Sequence, residues 1–158
     1  MIINNKSKLK KIISRYQSRG QKVLIKKGVF DIVHPGYLYL IKMLRKRAEV
    51  IIILTQSDKL TKFKKGSSRP INNQKDRTLV IDSIKGVDYT FADKSNSKAE
   101  SVALLRFLKP DYVAMTVDEA KSPKEYGRGP WKLLKFSEIK KSTYSTTRLI
   151  DKISNKYH

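Results

Sequence analysis

The sequence predicts an α/β domain, an open parallel sheet with helices on both faces, and three observations predict it. Apolar runs of strand length alternate along the chain with segments of helical periodicity. One run, "VIIILT" over 50–55, is apolar until its last residue, the pattern of a strand covered on both sides. The stretches between runs can hold helices, as right-handed crossovers between parallel strands require.

Each element has its own justification. Residues 8–19, "KLKKIISRYQSR", set Leu9, Ile12, Ile13 and Tyr16 on one helical face. "KVLIKKG" (22–28) reads as a strand closed by Gly28. Pro35 suits the first turn of the next helix, whose apolar positions are Leu38, Ile41, Met43 and Leu44. After the 50–55 strand comes a stretch rich in Lys, Ser and Pro, "QSDKLTKFKKGSSRPINN", which reads as a polar loop. Residues 74–85 read as a helix with Leu79, Ile81 and Ile84 apolar. "VDYTFA" (87–92) is a strand, and "SKAESVALLRFLK" (97–109) is a helix stopped by Pro110. "DYVAM" (111–115) and "WKLLKF" (131–136) are further strands, and "TTRLIDKIS" (146–154) is the closing helix. There is no internal repeat and no low-complexity linker, so residues 1–158 are expected to form one domain.

Composition narrows the chemistry. Without cysteine there is no disulfide, no thiolate metal site and no cysteine nucleophile, which suits a reducing interior. No apolar run approaches membrane-spanning length, and "MIINNKSKLKK" lacks the apolar core of a signal peptide. A soluble cytoplasmic protein with no membrane partner is the expectation. Lys and Arg number 35 against 14 Asp and Glu, a net charge of +21 that attracts nucleic acid, nucleotides and phosphorylated substrates. The lysines are scattered, however, and Ile, Asn and Tyr are abundant beside few Ala and Gly. An A/T-rich coding sequence gives the same profile.

In an open parallel sheet, ligands bind outside the carboxyl ends of the strands. "GVFDIVHPGY" (28–37) lies at such an end. The start of the following helix offers free N–H groups and its dipole to an anion, and Gly28 and Gly36 let the backbone come close. His34 in this position either donates a hydrogen bond to a phosphoryl oxygen or caps the helix.

"GVFDIVHPGY" resembles the G-T-F-D-x-x-H-x-G-H signature of the cytidylyltransferase-like nucleotidyltransferases. Three more segments match in order. "KKGSSRPINNQKDR" (64–77) resembles the K-G-x-x-R-P-I-x-x-x-x-x-R loop of the adenylyltransferase domain of ADP-heptose synthase. "GVDYTF" (86–91) with "LKPDYV" (108–113) resembles that domain's strand entries, and "YSTTRLI" (144–150) its S-T-T-x-L-I motif. The loop is less similar to the shorter glycerol-3-phosphate cytidylyltransferases, which favours ATP over CTP.

The resemblance implies a Rossmann-like domain that joins a nucleoside triphosphate to a phosphorylated sugar or polyol and releases pyrophosphate. It implies that the turn of Gly28, Val29, Phe30 and Asp31 meets the nucleotide, that His34 contacts its phosphates and that Gly36 keeps the helix start close. It makes Lys65 the mobile-loop cation, with Arg69 beside it. Ser145, Thr146 and Thr147 become a β- and γ-phosphate site, although alone they read as an ordinary N-cap. Mg²⁺ comes with the triphosphate; no Asp or Glu shows metal-ligand spacing. A homodimer is also in keeping with the resemblance.

The departures matter equally. Tyr37 stands where the family has a second histidine that stabilises charge on the transferred group. Its hydroxyl either reaches the same oxygen or the ring packs as an aromatic. Where the relatives have V-K-G-G-D, this chain reads "AMTVD", with Met115 in place of the lysine, Thr116 and Val117 in place of the glycines, and Asp118 retained. "KKSTY" (140–144) replaces E-G-R, and Lys26, Lys27 and Lys121 are nearby cations able to compensate. Two functions are therefore expected as alternatives. One is an active transferase in which His34, Lys65 and Tyr37 are catalytic. The other is a catalytically degenerate member binding nucleotide or nucleic acid in a regulatory or structural role.

Overall fold

The computed structural model describes residues 1–116, 129–136 and 144–157. The chain begins with β1 (Ile2–Ile3), α1 (Lys6–Gln17), β2 (Val23–Gly28) and α2 (Pro35–Arg45). It continues through β3 (Val50–Gln56), α3 (Asp58–Lys65), α4 (Gln74–Asp82) and β4 (Tyr89–Asp93). The remaining elements are α5 (Lys98–Leu108), β5 (Tyr112–Thr116), β6 (Lys132–Phe136) and α6 (Thr146–Tyr157). The strands form one sheet in the order β1-β4-β3-β2-β5-β6, parallel at every pairing.

Side-chain alternation sorts β2 and β5 between two cores. Val23, Ile25, Val113 and Met115 face α1 and α5. Leu24 and Ala114 lie in the other core with Leu40, Ile41 and Leu44 of α2 and Ile81 of α4. Both faces of the sheet are thus covered, and every residue of β3 is buried, as its unbroken apolar run implies. Strand β2 lies between β3 and β5, so the chain steps to opposite sides of it. The crevice at the carboxyl end of β2 is therefore the topological switch point.

Two local readings are corrected and one strand is added. The expected loop after β3 contains α3, started by Ser57, whose hydroxyl accepts from the Leu60 N–H at 3.2 Å. Only Leu60 and Thr61 of that helix are buried, so its lysine-rich sequence carries no clear apolar stripe. Strand β1, too short for any periodicity, exists through its pairing of Ile2 with Thr90 and Ile3 with Phe91. In α2 the inward residues are Leu40, Ile41 and Leu44, while Leu38 is 43% exposed.

Helix α4 differs more instructively. Leu79 is 57% exposed, and the inward face is Gln74, Arg77, Thr78 and Ile81. A mostly polar face is buried because each polar group has a partner. The Gln74 amide donates to the carbonyls of Thr55 and Asp93 at 2.7 and 2.9 Å, and the Thr78 and Thr55 hydroxyls are 2.6 Å apart. Val117, Asp118, Lys121 and residues 140–143 lie outside the described residues.

Candidate nucleotide site

The turn after β2 is fixed by what surrounds it. Phe30 takes a left-handed backbone conformation (φ 52°) and folds its ring back over Gly28. A Cβ on Gly28 would lie 2.7 Å from that ring, so the strand must end in glycine. The Asp31 carboxylate is 1% exposed and accepts from Arg69 Nε at 2.8 Å and from the N–H groups of Ile71 and Asn72 at 2.9 Å each. Asp31 and Arg69, both expected at a nucleotide, are thus paired with each other. The Asp31 side chain locks the 69–72 loop against the turn.

Arg77, the last residue of the 64–77 motif, had no role in the sequence reading. Its side chain is fully buried and donates to the carbonyls of Asn72 (3.0 Å), Gln56 (2.7 Å) and Val29, and to Asp58 Oδ1 (2.6 Å). One guanidinium therefore gathers the ends of β2, β3 and the motif loop. The signal that could have found it is its position, three residues after Gln74 and four before Ile81 on the inward face of α4.

His34 is the residue preceding the first turn of α2, with extended backbone (φ −143°, ψ 163°) and Pro35 following. Its side chain makes no capping hydrogen bond, which removes the capping role. Nδ1 is buried with no hydrogen-bond partner among the described residues. The imidazole stacks on Tyr37, ring centres 4.3 Å apart, and burial lowers its pKa from the ordinary histidine value. At neutral pH it is an uncharged ring. A Cβ on Gly36 would come within 2.9 Å of both this ring and Tyr144 Cβ, so glycine is required for the close approach.

The lowered pKa has a consequence for stability. Above about pH 6.5 the group is neutral folded and unfolded and contributes no pH dependence. As pH falls below that, the unfolded chain takes up a proton that folded His34 resists, so stability declines. Thermal unfolding from pH 8 to 5 is expected to show a steeper acid decline for the wild type than for His34→Gln. Identical profiles would mean that burial does not hold the ring neutral.

Tyr37 packs between His34 and Phe30 (ring centres 5.2 Å) and is hydrogen-bonded to Thr146, the first residue of α6. Burial pushes its phenol pKa up, so it stays neutral. Ser145 does act as an N-cap, accepting from the Arg148 N–H at 3.2 Å. Thr146 is buried with its hydroxyl 3.5 Å from the Ile32 carbonyl, and Thr147 is exposed. The hydroxyls of Ser145 and Thr146 thus have internal partners. The first-turn N–H groups of α6 remain its means of holding an anion.

Two hollows flank the turn. One of about 1000 Å³ is lined by His34, Pro35, Tyr144, Ser145 and Arg148, among others. The second, about 320 Å³, is lined by Gly28, Val29, Lys65 and further lysines. His34 and Ser145 therefore share one hollow and Lys65 lines the other. Lys27 is held by Asp93 and Ser101, and Met115 lies 7% exposed on the same face of the neighbouring strand. Among the described residues no group of three His, Asp or Glu could hold a metal.

A Rossmann-like sheet with a glycine-histidine turn and a helix N-terminus meeting at its switch point defines a domain of the nucleotidyltransferase class. The profile of the cytidylyltransferase-like family matches residues 25–152, and the chain belongs to that family. It is 32% identical over 109 residues to the bifunctional protein HldE of Wolinella succinogenes, covering 69% of this chain and 22% of that one. With HldE of Aliarcobacter butzleri the identity is 29% over 144 residues, 89% of this chain and 29% of the relative. The chain thus spans less than a third of the length of these relatives.

Among solved structures, a lipopolysaccharide core biosynthesis protein from Thermoplasma volcanium matches with a TM-score of 0.62 at 21% identity, over 76% of this chain and 99% of that one. Pantothenate synthetase from Thermus thermophilus matches at 0.56 and 12% identity, over 96% and 70%. At these identities the likeness is one of fold.

Proposed function

We propose that this chain transfers a nucleoside monophosphate from ATP or CTP to a phosphorylated small molecule, sugar and polyol phosphates being the class its relatedness suggests. The observation that carries the reading is the buried, unpartnered Nδ1 of His34 beside the first turn of α6. An orphaned buried polar atom is costly unless a ligand completes it, and a phosphoryl oxygen fits both the ring and the helix N-terminus.

In this mechanism an acceptor phosphate oxygen attacks the α-phosphorus in line. The bond to the bridging oxygen breaks, and pyrophosphate leaves with the electron pair. Neutral His34 donates a hydrogen bond to a phosphate oxygen, while the α6 N–H groups and lysines offset its charge. Tyr37 holds the imidazole in place and ties α2 to α6. Mg²⁺ arriving with the triphosphate neutralises oxygen charge, and no side chain of this chain is assigned to hold it.

Calorimetric titration with ATP, CTP, GTP and UTP tests the reading. Binding of at least one triphosphate is expected, weakened about tenfold or more in Gly36→Ala, whose new methyl displaces His34 or Tyr144. Failure to bind any of the four would sink it. A second reading has a specific observation behind it, because Tyr37 supplies no second imidazole and its hydroxyl is engaged by Thr146. On that reading the protein binds nucleotide without transferring it, and triphosphate binding without pyrophosphate release identifies it.

A further inference from the structure

Helix α3 carries Phe63, at 87% exposure the most exposed large apolar side chain among the described residues. The helix buries Leu60 and Thr61, so its opposite face holds Lys59, Lys62 and Phe63, three and four residues apart. A single apolar residue on a surface is ordinary, but the surroundings of this one are not. Phe107, also exposed, has the Lys6 ammonium 5.5 Å from its ring centre. The Phe63 ring has no such cation and no second ring against it among the described residues.

Positive charge surrounds that ring. The one carboxylate of α3, Asp58, is paired with the buried Arg77 at 2.6 Å, while Lys59 and Lys62 make no ion pair among the described residues. The Ser57 hydroxyl at the start of α3 donates to the Ser95 carbonyl at 2.7 Å. That bond lays the segment bearing Lys94 and Lys98 against the helix start. The acids of this segment are engaged, Asp93 by Lys27 and Glu100 by the Asn96 N–H at 2.9 Å.

Ammonium groups around an exposed aromatic ring fit a polyanion that also offers flat apolar faces. Single-stranded nucleic acid has both, phosphates for the lysines and unpaired bases that stack on a ring. A duplex keeps its bases stacked on one another and offers Phe63 no face. A lipid surface needs a wider apolar stripe than one ring supplies. We propose that the outward face of α3, with Phe63 beside Lys59 and Lys62, binds single-stranded nucleic acid, separately from the nucleotide site at His34. The net charge of +21 draws the strand to the whole surface, and Phe63 fixes where it settles.

The test is a fluorescence-anisotropy titration of the whole chain with short oligo(U), oligo(dT) and a duplex of equal length, over a series of salt concentrations. ATP binding and binding to phosphatidylserine vesicles are measured on the same samples. The single strands are expected to bind more tightly than the duplex. Phe63→Ala is expected to weaken them about tenfold with the salt slope unchanged, and Phe63→Trp to keep the affinity. Lys59→Gln combined with Lys62→Gln is expected to flatten the slope by about 1.4, two contacts of about 0.7 each. The same double change at exposed positions of α1, Lys8→Gln with Lys11→Gln, is expected to leave the slope near that of the wild type. Equal losses from α1 and α3 would mean charge without a site and overturn the proposal, as would tighter binding of the duplex. Phe63→Leu binding as well as the wild type also overturns it, because no ring would then be stacking. Vesicle binding that depends on Phe63 while strand binding does not would place the helix on a membrane instead. Loss of ATP binding in Phe63→Ala would assign α3 to the nucleotide site and overturn the inference; unchanged ATP binding with weakened strand binding supports it.

Discussion

Arg77→Met is expected to lower the unfolding free energy by about 3 kcal/mol, read from urea denaturation. The guanidinium is fully buried and supplies donors to the carbonyls of Val29, Gln56 and Asn72. Methionine fills much of the same volume, so the loss is one of hydrogen bonds rather than packing. Each carbonyl left buried without a donor costs about 1–3 kcal/mol, and the Gln56 oxygen lies deepest. Asp58 contributes less, because its side chain is 36% exposed and can rehydrate. Arg77→Lys is expected to recover little, since one ammonium cannot span carbonyls from three segments. A loss below about 1 kcal/mol for Arg77→Met would show that the three segments hold together without it. Because Val29 belongs to the turn, the same variant is expected to weaken triphosphate binding.

The strand pattern was legible because burial on both faces leaves long apolar runs, as in β3, and because glycine and proline mark the ends of β2 and α5. What sequence could not show is where polar residues face inward. Gln74, Arg77 and Thr78 look like a solvated helix face and are buried, since their partners are backbone carbonyls and a hydroxyl from distant segments. The site divides in the same way. Motif spacing places Gly28, His34, Gly36 and Ser145 at a strand end and at helix starts, and that is where they lie. The pairing of Asp31 with Arg69 spans 38 residues and no local pattern carries it. Tyr37 was visible as a departure, but its role as a strut between His34, Phe30 and Thr146 needed three elements in one place.

Of all single changes near the turn, His34→Ala is expected to affect turnover most. It removes an imidazole whose Nδ1 has no hydrogen-bond partner among the described residues, and loss of one preorganised donor of this kind lowers rate by about 10²–10³. Tyr37 offers the contrasting case. If its work is to hold His34, Tyr37→Phe keeps the stacked ring and loses only the bond to Thr146, so kcat in a pyrophosphate-release assay falls about threefold or less. Tyr37→Ala removes the ring that supports the imidazole and is expected to approach the His34→Ala defect. Tyr37→His is at least as active as the wild type if the second imidazole reaches the transferred group. A hundredfold fall in kcat for Tyr37→Phe would instead place the hydroxyl on the reacting phosphoryl group. The geometry favours the strut, because the hydroxyl is already hydrogen-bonded to Thr146 and the phenol is held neutral by burial. Comparing the two variants on kcat and KM separates the roles, since a strut lost by degrees misplaces His34 without removing a donor.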